Sequence, residues 1–135
     1  MSPPKPSAGR AARWAVTALT GALLVVAATQ PVPAHAVLVR STPSHRAVLG
    51  QAPERVDLWF NERLEPAYST VTIWNDAARQ VDERDATVTA DDPRRLTVTC
   101  ATRAAGQYTV KYRVLSVDGH IVDSLFTFTV KGQRQ

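Results

Sequence analysis

The sequence predicts an all-β domain of about seven short strands, folded as a Greek-key sandwich or a small barrel. From residue 36 onward, apolar and polar residues alternate with a period of two, and no apolar stripe of period 3.6 interrupts them. Turn-forming residues separate the alternating segments. Because each such strand buries only one face, the strands must pack as two layers around one core.

The predicted strands begin with a short segment at Val37–Val39. The later segments are Val56–Phe60, Thr70–Ile73, a weaker piece at Thr87–Thr89, Leu96–Cys100, Tyr108–Val114 and Leu125–Val130. The turns between them contain Thr42-Pro43, Ala52-Pro53, Glu65-Pro66, Asn75-Asp76, Asp91-Asp92-Pro93, Ala105-Gly106 and Asp118-Gly119. Alternation predicts one set of core residues: Val56, Leu58, Phe60, Val71, Ile73, Leu96, Val98, Cys100, Tyr108, Val110, Tyr112, Val114, Phe126, Phe128 and Val130.

The charge distribution does not indicate nucleic-acid binding. Residues 1–34 contain three basic residues and no acidic ones, so the rest of the chain carries 13 basic against 12 acidic residues. This near balance leaves no basic surface for a nucleic acid.

The single cysteine, Cys100, excludes an internal disulfide. Its place on an apolar strand face predicts a buried, unreactive thiol rather than a metal ligand.

Residues 1–34 have the pattern of a secretory signal peptide. A basic start precedes an apolar run, Trp14–Ala28, and a Pro-containing tail. The apolar run is shorter than the about 20 residues that a membrane span needs. We therefore expect export to the periplasm or cell exterior, in preference to retention by an uncleaved anchor. The small residues permit cleavage after Ala34 or after Ala36, and spacing alone slightly prefers Ala36.

The tripeptide Asp118-Gly119-His120 is a candidate metal-binding motif. In an extended segment, residues i and i+2 project to the same side, so the carboxylate and the imidazole can converge on one ion. The same tripeptide is also typical of an ordinary turn. Residue spacing alone leaves both interpretations open.

The cleavage position decides whether His35 takes part in such a site. After cleavage at Ala34, the free amine and Nδ1 of His35 would chelate one ion, and cleavage at Ala36 would discard the residue. With Asp118 and His120, this terminus offers three nitrogens and one oxygen. A tetragonal set of nitrogen and oxygen ligands suits Cu(II), whereas Zn(II) favours a tetrahedral one.

Four segments of the chain resemble the CopC-type copper-resistance family. They are His35–Pro43, Val56–Glu62, Gly106–His120 and Phe126–Val130, and the most specific part is Tyr112–His120. The resemblance spans residues 35–130 and implies a cupredoxin-like or immunoglobulin-like Greek-key β-barrel. We accordingly divide the chain into a signal peptide at 1–34, a copper-binding β domain at 35–130 and a short polar tail at 131–135.

The resemblance also implies a function and a site. The function is that of a small exported carrier of one Cu(II) ion in copper resistance or homeostasis, with a CopD-type membrane copper transporter as its partner. The family's Cu(II) ligands correspond to His35 with its amine, Asp118 and His120. Glu62 matches an acidic position that lies near this site in some members.

Three departures from the family pattern affect the expected chemistry. Some members bind Cu(I) through a Met-rich loop, but Arg63–Ser69 contains no Met and the only Met of the chain is Met1. A Cu(I) site is therefore not expected, because Cu(I) prefers soft sulfur ligands. His45 lies in a turn-like segment and is expected to be solvated rather than a ligand. Ser124 replaces a glycine common in the family, which affects no ligand.

Two other functions compete with copper carriage. A copper oxidase or monooxygenase built on the same terminal histidine would need an open coordination position and a substrate surface, and Asp118 would occupy coordination space. The second alternative is a structural or adhesive β-sandwich without a metal. The sequence therefore favours a protein that is not an enzyme.

Overall fold

The computed structural model describes residues 1–4 and 35–132 of the chain. Residues 5–34 of the predicted signal peptide and residues 133–135 of the predicted tail lie outside this description. Residues 1–4 and the two described residues of the tail, Lys131 and Gly132, belong to no helix or strand. Within the described part, no helix has the length and apolar character needed to cross a membrane.

Within residues 35–132, eight strands form two four-stranded sheets. The strands are β1 (Leu38–Thr42), β2 (Val48–Leu49), β3 (Arg55–Phe60), β4 (Thr70–Asn75), β5 (Thr87–Val88), β6 (Arg95–Thr99), β7 (Gly106–Leu115) and β8 (Ile121–Val130), with a short 3-10 helix at Pro66–Tyr68. One sheet has the order β1-β3-β6-β5 and the other β2-β8-β7-β4. Neighbouring strands are antiparallel, except that β2 is parallel to β8. The predicted all-β, two-layer architecture is confirmed.

The core lies between the two sheets. Every residue that the alternation predicted to face inward is buried, and Val56, Leu58, Ile73 and Val110 have no exposed surface at all. Burial of each large apolar side chain stabilises the fold by about 1.5–3 kcal/mol. The alternation in the sequence therefore predicted correctly which face of each strand packs against the other sheet.

Two features of the sheets differ from the sequence-based expectation. The strand β2 was not predicted, because its two residues, Val48 and Leu49, are both apolar and show no alternation. Asp57 lies on the outer face of β3, yet only 7% of it is exposed. The Arg95 guanidinium covers Asp57 and donates two hydrogen bonds to its Oδ1, at 3.0 and 2.7 Å. Alternation shows which side a residue faces, but not what lies over it.

The hairpin of β7 and β8 sets the position of the candidate metal ligands. Its ten-residue strands pair continuously from Gly106 with Val130 to Leu115 with Ile121. The connecting loop runs from Ser116 to His120 and contains both Asp118 and His120. The start of β1 lies at the same end of the sandwich, because Leu38 pairs with Phe60, the last residue of β3, and the chain just after β3 accepts a hydrogen bond from this loop, from the Val117 amide to the Arg63 carbonyl.

Candidate metal centre

The loop from Ser116 to His120 is a tight turn with its own hydrogen bonds. The Gly119 amide donates to the Ser116 carbonyl at 2.9 Å, and the Ser116 amide donates to the His120 carbonyl at 3.0 Å. Gly119 adopts a φ of +93°, a conformation that a residue with a Cβ rarely adopts. This turn explains why glycine separates the two candidate ligands.

Within this loop, the Asp118 carboxylate lies against the His120 ring. Asp118 Oδ1 is 3.1 Å from His120 Nδ1, and it accepts a hydrogen bond from the His120 amide at 3.2 Å. The Ser116 hydroxyl also donates to Oδ1. This hydroxyl bond and, to a lesser degree, the contacts with His120 hold the pKa of Asp118 below its usual range. The carboxylate is therefore ionised at neutral pH.

The His120 ring has one buried nitrogen without a directed hydrogen bond. Nδ1 is buried and has no hydrogen-bond partner among the described residues, although Asp118 Oδ1 is near. The contact is close enough for an ion pair but not aligned as a hydrogen bond. Because the side chain as a whole is 39% exposed, its exposure lies in atoms other than Nδ1. The Nδ1 edge of the ring is therefore covered by the protein, and the solvent-exposed surface of the side chain lies on its other atoms.

His35 meets His120 across the end of the sandwich. The two ring centroids are 4.8 Å apart, with the ring planes at 77°. Two residues further along the chain, the Val37 amide donates to Asn61 Oδ1 at 2.6 Å and the Asn61 amide donates to the Val37 carbonyl at 3.1 Å. Ala36, between His35 and Val37, is only 2% exposed. These contacts anchor the segment that carries His35.

The segment Asn61–Glu65 connects the two halves of the candidate site. Beyond Asn61, the Arg63 carbonyl accepts a hydrogen bond from the Val117 amide at 3.0 Å, and the Glu65 amide donates to the Leu115 carbonyl at 2.8 Å. One short segment therefore contacts both Val37, two residues after His35, and the end of β7 with the loop that follows it. Sequence reasoning singled out only Glu62 from this segment.

The other candidate residues lie in different environments. The half-buried Glu62 side chain makes no hydrogen bond or ion pair with other described residues. His45 is exposed, and its Nδ1 accepts a 3.4 Å hydrogen bond from the Thr127 amide. Ser124 is exposed within β8. No group of three or more His, Cys, Asp or Glu side chains in residues 1–4 and 35–132 is arranged to hold a metal ion by itself. The His120 side chain lies near His35 on one hand and near Asp118 on the other, but the three side chains alone do not form a metal-binding group.

Cys100 lies at the opposite end of the sandwich from His35. Its amide donates to the carbonyl of Glu54, which precedes β3, whereas the candidate site lies beyond the last residue of β3. The residue is 4% exposed, and burial raises the pKa of its thiol. The predicted burial of Cys100 is confirmed.

Comparison with known proteins identifies the family of this chain. Residues 38–131 match the family model described as the CopC domain, which covers both sheets and the loop of Asp118 and His120. The chain belongs to the CopC family. The family resemblance inferred from the sequence is therefore confirmed.

Two curated relatives of this CopC-family chain are similar over most of their length. Copper resistance protein C of Pseudomonas syringae pv. tomato is 33% identical over 122 residues, which cover 86% of this chain and 94% of that protein. Protein YobA of Escherichia coli K12 is 33% identical over 126 residues, which cover 93% of this chain and 98% of the relative.

Two solved structures share the fold. CopC from Methylosinus trichosporium OB3b is 40% identical with a TM-score of 0.70, over 75% of this chain and 98% of that one. PcoC from Escherichia coli, described as a methionine-rich copper resistance protein, is 28% identical with a TM-score of 0.62, over 73% of this chain and 100% of that one. These relatives support a copper-related function for the family, and the fold agrees with theirs.

Proposed function

We propose that this CopC-family chain is an exported carrier that binds one Cu(II) ion in copper resistance or homeostasis. The observation that carries the proposal is the contact of His35 with His120, two residues 85 positions apart, beside an ionised Asp118. The copper-resistance relatives support the same cargo. We further propose that the protein exchanges copper with a CopD-type membrane transporter and acts without an enzymatic step.

The proposed ligands are the amine and Nδ1 of His35, one nitrogen of His120 and one oxygen of Asp118. The amine becomes available when the leader is cleaved after Ala34. Because Nδ1 of His120 is buried against Asp118, we assign Nε2 as its coordinating atom. A histidine that binds a metal through one nitrogen commonly turns the other toward a carboxylate. The terminal amine supplies the donor that the side chains alone do not.

The identity of the terminal residue and the copper content together test this proposal. Protein recovered after export is expected to begin at His35 by mass spectrometry, and to bind one Cu(II) per chain by titration. A mature protein beginning at Val37, or one that begins at His35 and binds no Cu(II), would contradict it. An oxygen-dependent turnover assay separates a carrier from an oxidase, and we expect no turnover.

The protein is expected to bind Cu(II) in strong preference to Cu(I). Its proposed ligands are nitrogen and oxygen atoms, residues 35–135 contain no Met, and Cu(I) prefers soft sulfur. Electron paramagnetic resonance should show a tetragonal, nitrogen-rich Cu(II) signal without an intense thiolate absorption band. Titration with Cu(I) under reducing conditions is the control, and tight Cu(I) binding there would overturn the ligand assignment.

Replacement of Cys100 by alanine is expected to change stability and leave copper binding unchanged. Removing the buried sulfur should lower the free energy of unfolding by roughly 1 kcal/mol. The thiol lies at the far end of the sandwich, and its raised pKa disfavours the thiolate that binds metals. Chemical denaturation and Cu(II) titration of Cys100→Ala measure the two effects. A folded variant without copper would show that Cys100 is a ligand.

A further inference from the structure

We propose that Ser116 is a positioning residue of the copper site, one that holds Asp118 in a conformation with a single free carboxylate oxygen. This inference rests on the proposed function, since it concerns how the proposed ligands are held. Ser116 precedes the Asp118-Gly119-His120 motif and is not itself a candidate ligand. It has no exposed surface, so its hydroxyl is available only to its protein neighbours.

The contacts of Ser116 reach both proposed ligands in the loop. Its hydroxyl donates to Asp118 Oδ1 and lies 3.2 Å from the His120 carbonyl oxygen. Its amide donates to the same carbonyl at 3.0 Å, and its own carbonyl accepts the Gly119 amide at 2.9 Å. A single buried residue therefore fixes the start, the middle and the end of the turn.

These contacts leave the two oxygens of Asp118 in different states. A hydroxyl has one proton to donate, and the ionised Oδ1 is a stronger acceptor than the His120 carbonyl. Oδ1 accepts the Ser116 hydroxyl and also the His120 amide at 3.2 Å. No described residue donates a hydrogen bond to Oδ2. The arrangement favours binding of a metal through Oδ2 alone and disfavours the two-oxygen mode.

Loss of the Ser116 hydroxyl is expected to lower the affinity of the site for the metal. Without Ser116, the Asp118 side chain would lose a charge-assisted hydrogen bond and would have to be ordered when the metal binds. Residues that orient metal ligands commonly contribute about 10- to 100-fold to metal affinity. We expect an effect in this range, together with a change in the symmetry of the Cu(II) site as the second oxygen is released.

The chain offers a matched control for this substitution. Ser69 is also a buried serine, 6% exposed, and its hydroxyl contacts the backbone of the last residue of β7. It accepts the Leu115 amide at 3.2 Å and donates to the Leu115 carbonyl at 3.4 Å. Ser69→Ala therefore removes a buried hydroxyl beside the same strand end without removing a contact to Asp118 or His120.

The test uses exported protein that begins at His35, with Cu(II) as the probe and a competing chelator to measure Kd. Ser116→Ala is expected to raise the Kd by about 10- to 100-fold and to alter the Cu(II) paramagnetic resonance spectrum. Ser69→Ala is expected to retain the parent Kd and spectrum. Ser116→Thr, which keeps the hydroxyl, should retain the parent spectrum. In metal-free protein, the His120 amide should exchange its hydrogen faster in Ser116→Ala than in Ser69→Ala.

The outcomes separate this inference from the proposed function. If the parent binds one Cu(II) and Ser116→Ala shows the same Kd and spectrum, Ser116 does not position the ligands and the proposed function stands. If the parent binds no Cu(II), the proposed function fails and this inference fails with it. An equal loss in Ser69→Ala would assign the effect to general destabilisation. If Ser116→Ala does not fold, Ser116→Gly, which also lacks the hydroxyl and adds no metal-binding group, replaces it with the same expected direction.

Discussion

A mature protein with one glycine added ahead of His35 is expected to bind Cu(II) at least about 100-fold more weakly than the protein that begins at His35, a loss of about 2.8 kcal/mol. The added residue converts the terminal amine into an amide, which does not coordinate until it loses its proton. The chelate ring formed by the amine and Nδ1 of His35 is then lost. Chelator competition on the two forms measures the difference.

The fold provides the control for this comparison. His35 itself is exposed, and chain termini tolerate additions, so thermal unfolding of the two metal-free forms should agree. The contacts that anchor the segment begin at Ala36 and Val37 and do not involve the amine. Because the added glycine has an amine of its own, the Cu(II) paramagnetic resonance signal is recorded on both forms. Equal Cu(II) affinity with an unchanged signal would exclude the His35 amine as a ligand, even though the family assignment would stand.

The second large effect is expected for His120→Ala, which should weaken Cu(II) binding by at least about 100-fold. The variant removes the imidazole ring whose centroid lies 4.8 Å from that of His35, and with it the proposed coordinating nitrogen. It should also remove one nitrogen from the hyperfine pattern of the Cu(II) signal. Titration and spectroscopy on the same sample separate weaker binding from a change of ligand.

His45→Ala is the matched control for that variant. It removes an exposed histidine whose Nδ1 accepts a hydrogen bond from the Thr127 amide. Thr127 lies on β8, six residues beyond the first residue of that strand. We expect the parent Cu(II) affinity and signal. A loss of copper in His45→Ala comparable to that in His120→Ala would assign a ligand role to His45 and would require a different site.

Local pattern accounts for most of the fold and for only part of the site. Period-two alternation predicted the core residues because one face of each strand lies against the other sheet. It did not predict β2, whose two residues are both apolar, or the burial of Asp57, which depends on the Arg95 side chain from a neighbouring strand. Sequence spacing placed Asp118 near His120, since both lie in one short loop.

The remaining parts of the site depend on contacts that no local pattern encodes. The approach of His35 to His120 requires that the chain before β1 and the loop between β7 and β8 lie at the same end of the sandwich. It was predicted from the ligand chemistry of a terminal histidine and from the family resemblance, and not from a local pattern. The role of the Asn61–Glu65 segment depends on backbone hydrogen bonds with both partners. Ser116 gave no signal of its own, because a serine beside a turn is common; its complete burial is visible only in the structure.

The candidate site has two parts, the loop between β7 and β8 and the residues just before β1, and this division has a consequence for the order of folding. The β7–β8 hairpin pairs residues that are near in sequence, and such contacts form early, whereas pairing of β1 with β3 must close a longer loop. The Asp118 and His120 half can therefore form before the His35 half arrives. A chain that has not completed its sandwich holds only part of the proposed ligand set. If the proposed site is correct, occupancy by copper would then report that folding of the chain is complete.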